Sequence, residues 1–142
     1  MEINPNDVAL MKEYGTWLAQ SGNWPDGCQL TEEAVERNPS RMAYSEAALA
    51  LCAYFDGRYN EAAALIKRSP SINNPTYHAM AAAFFAEAGH MEDAVREAAW
   101  LKEHVPALME NLRQEVSLRL LRKQDVDFFI GSLQKAGLDI AK

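Results

Sequence analysis

The side chains in this sequence that could most readily support catalysis or bind a metal belong to three histidines and two cysteines. His78, His90 and His104 lie 12 and then 14 residues apart. Neither interval matches a local metal pair, such as two histidines four residues apart on a helix. His104 also falls near the end of a predicted helix, where a cation is favoured. We therefore interpret the three histidines as structural and predict no metal site.

The two cysteines, Cys28 and Cys52, have no further Cys or His at ligand spacing. We interpret them as buried, reduced thiols of a cytoplasmic protein. No glycine elbow and no phosphate-binding loop accompanies a candidate nucleophile. The sequence thus predicts a chain that is not an enzyme and needs no cofactor, so any catalytic activity would reside in an attached domain.

Composition and charge indicate the size of the domain and exclude some classes of partner. The 142 residues are 49% hydrophobic and 24% charged, which suits one soluble domain spanning residues 1–142. The formal net charge of -6 argues against nucleic acid and anionic membranes, because both attract clustered Lys and Arg. No window holds the run of about 18 apolar residues that a membrane helix needs, and residues 1–5 do not resemble a signal peptide. We predict a soluble, cytoplasmic protein.

A short motif recurs along the chain. Each copy reads glycine, polar, large apolar, any residue, acidic or polar, and small. The copies are Gly22–Gly27, Gly57–Ala62 and Gly89–Ala94. They begin 35 and then 32 residues apart, and a period near 34 is typical of the tetratricopeptide helix-turn-helix unit.

The residues of the motif suit a turn between two packed helices. The glycine would end the first helix, because only glycine adopts a left-handed backbone at little cost. The large residue would fill the corner between the helices, and it is Trp24, Tyr59 or Met91. The small residue would let the second helix approach the first, and it is Gly27, Ala62 or Ala94.

Helical spacing of apolar residues and interrupting prolines divide the chain into units. Pro39, Pro75 and Pro106 would end the units, since proline cannot continue a helix. We predict an all-α, right-handed superhelical solenoid with repeats at about 6–39, 40–74 and 75–106. The helix pairs within these repeats would span roughly 6–37, 41–69 and 75–104. No segment of useful length alternates with the period of a strand.

The C-terminal segment departs from the repeat. It predicts one helix at about 107–122 and another at about 125–137, with Asp125 as the N-cap of the second. The predicted apolar stripe of the first helix is Leu108, Leu112, Val116 and Leu120. The predicted apolar face of the second is Val126, Phe129, Ile130 and Leu133. Gly137 would close that helix. A solenoid needs a terminal element that covers its last apolar face, which favours a capping pair. The alternative is a docking surface for another subunit.

The residues also resemble a known region. Tyr14–Leu18, Gly22–Trp24, Asn38–Pro39, Gly57–Tyr59, Glu92–Ala94 and Gly131–Leu138 are similar to the tetratricopeptide region near the C-terminus of bacterial class III adenylate and guanylate cyclases. Similar regions occur in regulators that carry a winged-helix domain. The resemblance covers nearly the whole chain and implies a non-catalytic region of a larger regulatory protein, because no metal-binding aspartates of a cyclase domain are present.

In such an array the first helix of each pair lines a groove that binds polypeptides. The groove-facing candidates are Lys12, Thr16, Tyr44, Leu51, Tyr54, Phe55, Thr76 and Glu87. The aromatic side chains of the second unit are of the class that anchors interfaces. The alternative is that the C-terminal helices fold back and cover these aromatics.

Two functions follow as hypotheses. The first is a protein–protein interaction scaffold whose partner is another polypeptide or a second copy of the chain, with no role for nucleic acid or membrane. The second is a regulatory or dimerisation region of a bacterial adenylate or guanylate cyclase.

Overall fold

In the computed structural model, the described residues are 22–37, 42–68 and 70–140. The helices within these ranges are α1 (Trp24–Arg37), α2 (Met42–Phe55), α3 (Tyr59–Arg68), α4 (Pro75–Glu87), α5 (Met91–His104), α6 (Pro106–Glu110), α7 (Leu112–Ser117) and α8 (Lys123–Lys135). No strand occurs in these ranges, so the all-α class is confirmed for this part of the chain. The predicted helix that begins near residue 6 lies outside the described residues.

Two helical hairpins, α2–α3 and α4–α5, match the predicted pairs 41–69 and 75–104. A glycine with positive φ follows the first helix of each hairpin, 82° at Gly57 and 83° at Gly89. The same two hydrogen bonds close both turns. The glycine N–H donates to the carbonyl three residues back, and the next N–H donates to the carbonyl five residues back. This turn requires a left-handed residue, so the role predicted for the two glycines is confirmed.

Helix α4 contacts α3, α5 and α8. It begins with Asn74, whose side chain accepts a hydrogen bond from Thr76 N at 3.0 Å, and with Pro75 in the first turn, where proline costs little. Every residue from Ala81 to Ala86 is buried. The alanines let the neighbouring helices approach closely, while Phe84 and Phe85 supply most of the buried apolar area. Helix α4 therefore packs both against its hairpin partner α5 and against the C-terminal helix α8.

The predicted single helix at 107–122 is wrong. The chain leaves helical geometry at Asn111 (φ -118°, ψ 17°), a residue with low helix propensity, and α7 ends at Ser117. Residues 118–122, which we call the linker, are not helical. Of the apolar stripe predicted for this helix, Leu112, Val116 and Leu120 are buried, and Leu108 is half-buried against the core.

The start of α8 also differs from the prediction. Its N-cap is Arg122, which makes no side-chain capping bond, and Asp125 is the third residue of the helix. The carboxylate of Asp125 is buried against other groups, described below, and so does not cap. The predicted apolar face of Val126, Phe129, Ile130 and Leu133 is confirmed as buried, and Gly137 ends the helix with φ 106°.

The three predicted corners are not equivalent. The small residues Gly27, Ala62 and Ala94 are all buried, as predicted. Of the large residues, Trp24 is buried and Tyr59 half-buried, whereas Met91 is 43% exposed. The prediction that Met91 fills a corner is wrong. It stands at the first position of α5 and is not part of the buried core cluster.

A disulfide joins α1 to α2. Cys28 and Cys52 are bonded, with their Cα atoms 5.8 Å apart, so the prediction of two reduced thiols is wrong. Their separation of 24 residues carries no local signal, and they meet only because α1 packs against α2. Closing a loop of this length stabilises the fold by about 3 kcal/mol. Disulfides persist in oxidising surroundings, so this bond does not favour the predicted cytoplasmic location.

Candidate interaction groove

The first helices of the two hairpins, α2 and α4, share a face that meets the C-terminal segment. We call this face the groove and define it by five of the predicted partner-binding residues, Leu51, Tyr54, Phe55, Thr76 and Glu87. Helix α8 covers one part of it, around Tyr54. The other part, around Leu51 and Thr76, borders a cavity.

The covered part of the groove centres on Tyr54, which is fully buried. The Tyr54 ring lies among aromatic rings of both sides, with its centroid 4.9 Å from Phe84 of α4 and 5.2 Å and 6.0 Å from Phe128 and Phe129 of α8. Its hydroxyl lies 2.5 Å from Ser132 Oγ. Tyr54 thus combines an apolar contact with a directed hydrogen bond, as buried tyrosines usually do.

A chain of hydrogen bonds extends from Tyr54 to the surface. Ser132 Oγ lies 3.0 Å from Glu87 Oε1, and Lys135 Nζ lies 2.7 Å from the same oxygen. Because an ionised carboxylate only accepts, Ser132 donates to Glu87. Ser132 has one proton, and its other neighbour, the Phe128 carbonyl oxygen at 3.2 Å, also only accepts. Tyr54 therefore donates to Ser132, and Ser132 donates to the Glu87 carboxylate on α4.

Burial raises the pKa of Tyr54 well above its ordinary range, and the negative charge of Glu87 raises it further. The hydrogen bond with Ser132 opposes this shift in part. The phenol consequently stays protonated and keeps its role as donor across the physiological range.

The N-terminal end of α8 is held by a second polar contact. Trp24 Nε1 donates to Asp125 Oδ2 at 2.9 Å, and the Trp24 ring stacks on Phe55 with centroids 4.2 Å apart. Asp125 is 4% exposed and also accepts from Arg122 Nε and Nη2 at 3.1 and 3.0 Å. Three donors therefore satisfy a carboxylate that would otherwise be costly to bury. A Cβ at Gly22 would lie 2.3 Å from Arg122 Cδ. The Arg122 side chain, at the start of α8, therefore packs closely against the backbone just before α1.

The uncovered part of the groove is a cavity of about 350 Å³ between α2, α4 and the segment from α6 to α8. Apolar side chains form most of its wall, among them Leu51, Met80, Leu112 and Val116, and its polar side chains are Thr76, Glu115 and Arg119. A volume of this size and an apolar wall with few polar groups are typical of sites for small apolar groups. The aromatic ring of Phe129 lines it as well, so α8 separates the two parts of the groove.

The predicted groove residues thus fall into three sets. Lys12 and Thr16 lie outside the described residues, as does the side chain of Tyr44. Leu51 and Thr76 line the cavity. Tyr54, Phe55 and Glu87 contact α8. Of the two alternatives left open by the sequence, the structure has the one in which a C-terminal helix folds back on the aromatics, for Tyr54 and Phe55, which α8 contacts.

Sequence reasoning missed Asp125 and Ser132 as groove contacts. Both are polar residues on the otherwise apolar face of α8. That placement was a usable signal, because a polar residue within a buried stripe needs a partner across the interface. The partners themselves, 101 and 78 residues away, had no signal in the sequence.

His78 is the most enclosed of the three histidines, at 5% exposed. Its Nε2 lies 2.8 Å from the carbonyl oxygen of Ile72 and its Nδ1 contacts Glu97 Oε2. The ring stacks on Trp100 with centroids 3.7 Å apart. Since a carbonyl oxygen only accepts, Nε2 is the donor there. Both ring nitrogens are therefore engaged, and His78 fixes α4, α5 and the turn before α4 to one another.

Among residues 22–37, 42–68 and 70–140, no group of three or more His, Cys, Asp or Glu side chains is arranged to hold a metal ion. Within the same ranges no helix has the length and apolar character required to cross a lipid bilayer.

Comparison with known proteins adds no family to this description. Neither the protein-family models nor the curated proteins contain a match to this chain.

Proposed function

We propose that this chain is a non-catalytic protein–protein interaction scaffold, a tetratricopeptide-type array that acts within a larger regulatory protein. The observation that supports this most is that the groove holds a helix, α8, through both apolar and directed polar contacts. An amphipathic helix laid in an apolar groove, with anchors on successive turns, is a recurring mode of polypeptide recognition.

The spacing of the anchors on α8 supports a groove that runs across the repeats. Asp125 contacts Trp24 of the first predicted unit, and Ser132 contacts Tyr54 of the second and Glu87 of the third. Asp125 and Ser132 are seven positions apart, which corresponds to about 10 Å along a helix, close to the distance between neighbouring packed helices. One helix in this groove therefore contacts all three predicted units within two turns.

The test is binding of a labelled peptide with the sequence of residues 121–140. The host is the full chain carrying Leu133→Asp, because a charge at this fully buried position prevents the chain's own α8 from docking. We expect saturable binding to this host by fluorescence anisotropy. The wild-type chain, whose groove is filled, should bind the peptide about tenfold more weakly or worse.

Matched controls keep the result interpretable. A peptide carrying Leu133→Asp should bind neither the Leu133→Asp chain nor the wild-type chain. A milder host, Ser132→Asp, sets a second carboxylate against Glu87 and weakens α8 with less risk to folding, which helix content by circular dichroism would check. Equal binding of the peptide to wild type and to both hosts, or binding to none of them, would show that the groove does not recognise this helix.

A second candidate function is the regulatory or dimerisation region of a nucleotide cyclase. The specific observation in its favour is that Leu118, Leu121 and Phe128 are exposed, at 70%, 61% and 39%, although they are large and apolar, as in a surface that pairs with another subunit. The test compares cyclase activity and oligomeric state of the whole protein with and without residues 1–142. Equal values for both would end this proposal.

A further inference from the structure

We infer that the groove accepts α8 from a second copy of this chain, so that two copies exchange their C-terminal helices across the linker. The inference rests on the proposed function, since it takes the groove to be a helix-binding surface, and it names the partner. The structure already contains a helix that fits the groove, which is α8 itself.

The contacts that hold α8 are the same whether the helix comes from its own chain or from another. They join residues that are 101, 78 and 45 positions apart, so none depends on local connection through the linker. The free energy of these contacts therefore cancels between the closed monomer and the exchanged dimer. What decides the balance is the cost of association, the conformation of the linker and any new contact formed there.

The linker carries the side chains for such a new contact. Leu118 and Leu121 are, with Ile72, the three most exposed large hydrophobic residues of the described chain. In an exchanged pair with twofold symmetry the two linkers cross beside each other. Leu118 and Leu121 of one copy then face the same residues of the second. Burying four leucine side chains favours the dimer in the one place where monomer and dimer differ.

The test uses two full-length variants, Glu87→Cys and Lys135→Cys, prepared separately. The two wild-type side chains meet, with Lys135 Nζ 2.7 Å from Glu87 Oε1, so a short bis-maleimide can join cysteines placed there. The native cysteines are disulfide-bonded and do not react. The variants are mixed at high concentration, warmed to the midpoint of thermal unfolding, cooled and cross-linked.

We expect a covalent heterodimer on a denaturing gel, formed through position 87 of one copy and position 135 of the other. The matched control replaces Glu87→Cys with Glu92→Cys, an exposed glutamate at the start of α5, and should give no heterodimer. Leu121→Asp in both copies should lower the heterodimer yield by about tenfold, since it places like charges where the linkers cross.

The double variant Glu87→Cys, Lys135→Cys separates the two proposals. If it cross-links within one chain while the mixed single variants give no heterodimer, the exchange is refuted and the helix-binding groove stands. If it fails to cross-link within the chain or between chains, α8 does not lie at Glu87, and both the exchange and the proposed function are overturned.

Discussion

The two parts of the groove are built by the same two helices, yet they differ in how they are filled. Around Tyr54 the space between α2 and α4 is packed with aromatic rings from α8, and every buried polar group there has a partner. Around Leu51 and Thr76, the segment from α6 to α7 leaves a cavity of about 350 Å³. The first part has the packing and hydrogen bonding of a domain interior, while the second has the volume and lining of a binding site.

The difference between the two parts follows from the lengths of the helices that cover them. Helix α8 is 13 residues long and keeps one buried face that is apolar except at Asp125 and Ser132, so it follows the groove and fills it. Helices α6 and α7 are short, 5 and 6 residues, and break at Asn111. They cannot present a continuous ridge of side chains, and the space beneath them stays open.

The difference in packing between the two parts is tested most directly by truncating one leucine side chain in each. Leu133→Ala in α8 should lower the free energy of unfolding by about 4 kcal/mol, because it opens a cavity in a fully packed region. Leu112→Ala, which is similarly buried but lines the existing cavity, should cost about 2 kcal/mol, since the side chain has fewer packed neighbours to lose. Urea unfolding measures both values. Equal losses would mean that the two parts are packed alike.

Enlarging one alanine side chain in each part tests the same difference in packing. Ala79 and Ala83 lie one turn apart on α4, and only Ala79 lines the cavity. Ala83→Leu should lower the free energy of unfolding by about 2 kcal/mol through overpacking. Ala79→Leu should stay within about 0.5 kcal/mol of wild type or stabilise the protein, because the cavity can receive the larger side chain. Thermal and urea unfolding of the pair would show it, and a similar penalty at both positions would contradict the open volume.

The smallest effect concerns the polar contact that distinguishes the covered part. Tyr54→Phe should cost about 1 kcal/mol at neutral pH, because Ser132 loses the donor of one buried hydrogen bond. The pKa of Tyr54 is raised in the folded protein. Its contribution is therefore constant below the pKa of an unfolded tyrosine, near 10, and is lost as the pH rises above that value.

Above about pH 10 the wild type should lose up to about 1.4 kcal/mol more per pH unit than Tyr54→Phe does. Urea unfolding at neutral and alkaline pH measures this slope difference, and comparison with Tyr77→Phe controls for the other tyrosine whose pKa is raised. A constant gap between wild type and Tyr54→Phe across this range would show that Tyr54 is not buried as described.

Much of the helical arrangement could be predicted from the sequence, because its signals are local. The glycines at 57 and 89 mark turns that only a left-handed residue can make. The apolar stripes, such as Val126, Phe129, Ile130 and Leu133, define which side of a helix is buried. The break at Asn111 was missed, because a weak helix former within a long stripe is a small local penalty that the surrounding packing decides.

The candidate site was predictable only in part. The groove aromatics could be found from the register set by the glycines, since that register places Tyr54 and Phe55 on a first helix. Whether they were open or covered could not be found, because it depends on how α8 docks 70 or more residues later in the chain. The same holds for the disulfide and for the His78–Glu97 contact, which join residues on different helices.

Helices α2 to α5, the two glycine turns that join them into hairpins and the apolar face of α8 could be assigned from the sequence, because backbone conformation and side-chain periodicity depend on near neighbours in the chain. Only the tertiary structure decided which faces meet. It placed Asp125 on Trp24 and Ser132 between Tyr54 and Glu87, and it left one part of the groove filled and the other open. These outcomes follow from the shape and polarity of surfaces brought together across the whole chain, where a single hydrogen bond or gap carries no signature in local sequence.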